Sequence, residues 1–149
     1  MFCNRTLFSV VSILALVTAT PALAQTAWTG GTSTDWFNAG NWTNGVPASV
    51  DTTIDTNSPN ATVIGASGAQ TNTLYVGFNS NGTLTIQNGG TLSTGGAGAL
   101  VGFNNGAHGV VTVNGVGSTW NTDSISAGNT STATSTVTVQ NGEIGRAHV

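Results

Sequence analysis

Two stretches decide the fold: "LYVGFNSNGTLTIQNGG" from Leu74 to Gly90, and "ALVGFNNGAHGVVTVNGVG" from Ala99 to Gly117. Laid under one another, Gly77 falls on Gly102, and Gly128 of "SAG" follows, at steps of 25 and 26 residues. The apolar pairs Leu84/Ile86, Val111/Val113 and Val137/Val139 advance with them, each trailed by an Asn-Gly: Asn88-Gly89, Asn114-Gly115 and Asn141-Gly142. Two anchors that drift together mark a repeat, and periods of 20 to 50 residues belong to stacked architectures.

Inside each unit the pattern has period two. Leu74, Val76 and Phe78 alternate with Tyr75 and Gly77, and Leu84 and Ile86 alternate with Thr83, Thr85 and Gln87. That is the signature of short strands with one buried face. Asn-Gly ends the second strand with residues that tolerate positive φ, and a third short stretch follows at Leu92 and at Trp120. Three strands and three turns per repeat describe one coil of an all-β solenoid, a parallel β-helix. Coils stacked at about 4.8 Å place Leu74 over Ala99 and Ile125, Val76 over Val101 and Ala127, and Leu84 over Val111 and Val137. The expected repeat core is Leu74, Val76, Leu84, Ile86, Val101, Val111, Val113, Ile125, Val137 and Val139. The alternative use of Asn-Gly is a two-residue hairpin, giving an antiparallel sheet or sandwich. The glycine-rich "GTLSTGGAG" is a poor immediate return strand for that arrangement.

Residues 25–72 do not share the period but hold three of the four tryptophans. Trp28, Trp36, Phe37 and Trp42 can bury much apolar area with few residues, and a solenoid needs its end strands covered. This region is expected to be an N-terminal aromatic cap, followed by about three coils at 73–98, 99–124 and a truncated 125–142. Trp28, Trp36 and Trp42 are also candidate glycan contacts, since exposed indole faces beside Asn and Asp can stack on sugars.

The chain opens "MFCNRTLFSVVSILALVTATPALAQ". Arg5 supplies a positive start, Leu7 to Val17 an apolar run, and Ala22-Leu23-Ala24 a small-residue cleavage pattern, so 1–24 reads as a secretory signal peptide cut between Ala24 and Gln25. The apolar run is short of the roughly 18 to 20 residues that span a bilayer. Cys3 would leave with the signal, so no disulfide is expected in the mature chain.

Only 5% of residues are charged, against about 25% in ordinary soluble domains. There is no lysine, and the two arginines, Arg5 and Arg146, lie at the ends. Nucleic acid is therefore not an expected partner, because its binding rests on Lys and Arg neutralising phosphates. The final "EIGRAHV" interrupts the repeat and brings Arg and His together in a chain nearly free of both. Its back-translation resembles a common sequencing-adapter end, so 143–149 is expected to be a non-native read-through tail.

The unit "VGxxxxGxLTIxNGGxL", with "GSTW" after the second copy, resembles the repeat of type V secretion (autotransporter) passengers and of PEP-CTERM surface proteins. The entry "WTGGTSTDWFNAGNWTNGVPASVDTTIDT" is similar to the mature N-termini of many such passengers. The resemblance implies a right-handed β-helix exported by the Sec route to the cell surface, outer membrane or exterior. It also implies a C-terminal translocator barrel, beyond this segment, as a partner.

Catalytic chemistry has little to build on. Asp51 and Asp55 are the only close carboxylate pair, and on one strand their backbones stand roughly 13 Å apart, beyond the usual separation of glycosidase carboxyls. His108 in "GAHG" stands among glycines, and Asp35 and Asp123 stand alone, with no Cys/His cluster for a metal. The expected role is a structural or adhesive passenger with no catalysis in this segment and no cofactor, meeting a host or neighbouring-cell surface, glycan included. The alternative is the N-terminal part of a carbohydrate-active β-helix enzyme, or a sugar-binding β module.

Overall fold

The computed structural model describes residues 25–141 and the backbone of Glu143–Gly145. The expected leader, 1–24, lies outside the described residues, as do 146–149 of the expected read-through tail.

Alternating inward apolar residues make strands too short to be stable alone, so each strand depends on the turns above and below it. β1 (Gln25–Ala27) precedes a first full turn of β2 (Asp51–Ile54), β3 (Thr62–Ile64) and β4 (Ala69–Thr71). The second turn is β5 (Leu74–Val76), β6 (Asn81–Gln87) and β7 (Thr91–Thr94). The third is β8 (Ala99–Val101), β9 (His108–Asn114) and β10 (Thr119–Thr122), and the fourth is β11 (Ile125–Ala127), β12 (Thr134–Gln140) and β13 (Glu143–Gly145). Among the described residues the strands stack into three sheets, β1-β2-β5-β8-β11, β3-β6-β9-β12 and β4-β7-β10-β13. Every neighbouring pair of strands is parallel, which makes the chain a parallel β-helix and removes the hairpin sandwich.

Regular stacking comprises four turns, not about three, and begins at Asp51, inside the region expected to be cap alone. Thr52 pairs with Leu74 and Thr62 with Leu84, both at a spacing of 22 residues, where the later turns of the same two sheets use 25 to 27. The shorter period and the threonines at inward positions hid this turn from the apolar pattern. In the later turns the columns follow the register of the repeat. Leu74 pairs with Ala99 and Ala99 with Ile125, Val76 with Val101 and Val101 with Ala127, and Leu84 with Val111 and Val111 with Val137.

Leu74, Val76, Leu84, Ile86, Val101, Val111 and Val113 are fully buried. Burying each such side chain contributes about 1.5–3 kcal/mol relative to leaving it in water. The last turn departs from the expected core. Ile125 and Val137 are only partly buried, and Val139 is 42% exposed, because β11 and β12 are edge strands among the described residues and nothing packs on their outer side. The backbone of Glu143–Gly145 continues the third sheet, with Trp120 opposite Ile144.

The invariant glycine of the unit has a steric cause. Gly77 and Gly102 hold φ of 64° and 59°, and their N–H groups donate to Ile54 O and Val76 O of the preceding turn, both at 2.9 Å. A Cβ on either would collide with the carbonyl of His108 or Thr134 in the following turn. The chain turns sharply there, so Phe78 does not continue the inward alternation with Leu74 and Val76. It lies half-buried on the outer flank instead.

At the third corner the interior is polar. Thr71, Thr94 and Thr122 are in register and buried, and their hydroxyls have partners inside. Thr71 Oγ1 lies 2.7 Å from Thr52 Oγ1, Trp120 Nε1 donates to Thr94 Oγ1 at 3.0 Å, and Thr122 Oγ1 donates to Ser124 O at 2.9 Å. Buried polar groups are tolerated when bonded in this way.

The N-terminal segment covers the lower edge of all three sheets. β1 pairs with β2, Trp36 N donates to Val63 O beside β3 at 2.9 Å, and Asn72 N at the end of β4 donates to Val50 O at 2.9 Å. Trp42 sits between Trp28 and Trp36, with edge-to-face centroid separations of 4.9 and 4.7 Å. Asn41, fully buried, organises the loop that carries them. Its Oδ1 accepts from Thr32 N (2.8 Å) and Ser33 N (2.9 Å), and its Nδ2 donates to Ser33 Oγ (3.0 Å) and Asp35 O (2.8 Å).

Candidate functional site

The outward side chains inherit the register of the inward ones. On the second sheet Thr85, Thr112 and Thr138 form one column, with Thr83, Val110 and Thr136 beside it and Gln87, Asn114 and Gln140 beyond. On the third sheet Gln70, Ser93 and Asn121 stand above one another. Neutral hydroxyl and amide groups therefore repeat along the axis at the spacing of the coils, about 4.7–4.9 Å.

Among the depressions in the described residues, one of about 540 Å³ lies between the cap and the second sheet, beside Asp35, Phe37, Val63 and Gln87, and two others adjoin one another. A groove of about 480 Å³ runs across the turns at the corner between the third and first sheets. Ser49, Gln70, Asn72, Ser93, Asn121 and Asp123 supply its polar rim. A smaller cleft of about 240 Å³ opens on the outer face of the first sheet, lined by Gln25, Asp51, Thr53, Tyr75 and Phe78. The two are neighbours, because Asn72 on the groove donates through Nδ2 to Asp51 Oδ1 in the cleft at 2.8 Å.

Aromatic residues give the cleft its shape. Tyr75 points outward from β5 because Leu74 and Val76 point in. Phe78 meets the Tyr75 ring edge-on at 4.8 Å and 74°, and Phe103, one repeat later, stacks behind it at 5.4 Å and 12°. Asp55 fixes the backbone of this shelf, its carboxylate accepting from the N–H groups of Phe78 and Asn79.

The residues singled out in the sequence fall as follows. Trp28, Trp36 and Trp42 are 3%, 0% and 5% exposed, so their indole faces are not open to a sugar; covering the solenoid end consumes them. Asp51 and Asp55 serve separate turn-to-turn contacts: Asp51 Oδ1 accepts from Asn72 Nδ2 and Thr73 N, and Asp55 accepts at the corner after β5. His108 is exposed at the start of β9, with Nδ1 against Thr134 Oγ1. Asp35 Oδ1 accepts from Phe37 N at 3.0 Å, and Asp123 lies on the groove. Among the described residues no three of His, Cys, Asp or Glu come together as a metal site would require.

The aromatic shelf was missed in sequence reasoning, although its signal is present: Phe78 and Phe103 are one 25-residue repeat apart, in "VGFN" both times. Compared with family models, with curated proteins and with solved structures, the chain finds no match.

Proposed function

We propose that this chain is an exported, surface-displayed β-helix passenger of an autotransporter-like protein, with a structural or adhesive role and no catalysis in this segment. The observation that carries the reading is the pair of outward surfaces on which neutral Thr, Ser, Asn and Gln side chains repeat in register. Such a lattice offers hydrogen-bond donors and acceptors to a repetitive polar surface without demanding charge. The leader-like start and the passenger-like repeat support export by the Sec route, with a translocator barrel beyond this segment. The contact partner is a host or neighbouring-cell surface rich in glycan.

The test is expression of the full chain in a Gram-negative host. Mass analysis should find a mature N-terminus at Gln25, and beads carrying the chain should adhere to glycan-coated surfaces in a way that free polysaccharide competes. Retention of the intact chain in the cytoplasm would refute export. Beads that adhere no better than bare ones would refute the adhesive role.

A further inference from the structure

We propose that the cleft formed by Gln25, Asp51, Thr53, Tyr75 and Phe78 binds one neutral pyranose ring, the exposed sugar of a surface glycan. The proposal rests on the adhesive reading and gives it a ligand. It also moves sugar recognition away from the tryptophans, which are buried, to the outer face of the first sheet.

The size suits a single ring. At about 240 Å³ the cleft is smaller than the roughly 300–1,000 Å³ of sites for drug-sized ligands. Its walls divide by chemistry. Tyr75 and Phe78, at 74° to one another, present a face and an edge, the apolar surface on which the C–H groups of a pyranose pack. Phe103, stacked nearly parallel to Phe78, holds that wall in place.

The opposite wall is polar and already ordered. Among the described residues, the hydrogen bonds to the Asp51 carboxylate fall on Oδ1, which leaves Oδ2 to accept from sugar hydroxyls. The Gln25 amide is tethered by Nε2 to Thr53 Oγ1 at 3.1 Å, with its carbonyl oxygen and second N–H able to meet a ligand. A carboxylate and an amide side by side match adjacent hydroxyls, which both donate and accept. Groups held before binding lose little freedom when the ligand arrives.

The charge selects further. No Lys or Arg lies between residues 25 and 145, so apart from the α-amino group that cleavage before Gln25 would create, nothing in this stretch would neutralise a sugar acid beside Asp51. An organic cation could use the rings and the carboxylate, yet it would leave Gln25 and Thr53 without a purpose.

The experiment is titration of the full, 15N-labelled chain with a panel of neutral methyl hexopyranosides and N-acetylhexosaminides, followed by NMR. Glycoside-dependent shifts should centre on Tyr75, Phe78 and Asp51. Tyr75→Ala and Asp51→Asn should each weaken binding at least tenfold with circular dichroism unchanged, while Val116→Ala at the exposed corner after β9 should not. Asp51→Asn keeps Oδ1 for Asn72 and Thr73, so it reports on the ligand even where Tyr75→Ala disturbs the fold. The proposal is overturned if no glycoside moves these signals, if Asp51→Asn binds as well as the parent, or if tetramethylammonium moves them and the sugars do not. Bead adhesion measured alongside separates the two readings: adhesion that survives both cleft variants sinks the cleft and keeps the adhesive role. Glycoside binding without adhesion keeps the cleft and sinks the role.

Discussion

Trp120 of the third turn donates its indole N–H to the hydroxyl of Thr94 in the turn below, at 3.0 Å and with both side chains buried. This bond crosses from one coil to the next inside the core, where an unmet donor has no water to turn to. Thr94→Val should therefore destabilise the chain by about 1–3 kcal/mol, the cost of an orphaned buried donor. Adding Trp120→Phe should cost less than the sum of the two single changes, a coupling that a double-mutant cycle in urea would read. Strict additivity would show that the bond contributes nothing.

A second expectation concerns the repeated glycine. Gly102→Ala places a methyl group at positive φ against the Thr134 carbonyl, so its cost should exceed the about 1–2 kcal/mol of the backbone conformation alone. Gly45→Ala, also at positive φ (82°) but facing open space, should show only the conformational part. Equal midpoints for the two variants in chemical denaturation would contradict the steric account.

Position along the axis should outweigh residue type. Leu84→Ala in the middle of its column should cost about 2–5 kcal/mol. Val139→Ala, on the exposed last turn, should stay within about 0.5 kcal/mol. Thermal melting of both variants beside the parent chain checks the contrast.

Asn41 is expected to matter more than its short side chain would imply. Asn41→Asp keeps both acceptors but removes the donors to Ser33 Oγ and Asp35 O, and puts a buried charge against a carbonyl. The near-UV circular dichroism of the clustered tryptophans should collapse while the far-UV strand signal from the later turns survives. An unchanged near-UV spectrum would mean that the loop is held by something else.

Asp55 offers a local readout. Asp55→Ala removes the acceptor for the N–H groups of Phe78 and Asn79, and hydrogen exchange at those two amides should accelerate more than at Gly77, whose partner is the backbone of Ile54.

The second, third and fourth turns were legible because Leu, Val and Ile recur at inward positions with glycine at a fixed offset, and steric demands repeat as faithfully as the coils do. The first turn was not, because Thr52 and Thr62 fill the inward positions that Leu74 and Leu84 fill in the next turn. The hydroxyls of Thr52 and Thr71 bond to each other in the core, a pairing that only the folded chain brings about. Phe78 was misassigned for a related reason. Alternation continued through Gly77 points it inward, but the positive φ of that glycine turns the chain and leaves Phe78 against Tyr75. The buried state of Trp28 and Trp42 likewise depends on an antiparallel bridge between them that no period announces.

The corner after β9 carries one more residue than the corner after β6, yet Leu92 and Trp120 still face each other. The surplus is thrown outward, where Val116 is 90% exposed and meets little besides water. Length at this corner is thus uncoupled from the lattice, which counts only strands. A lineage could lengthen such a corner, or an engineer could graft a peptide there, and change what the rod displays without changing the rod.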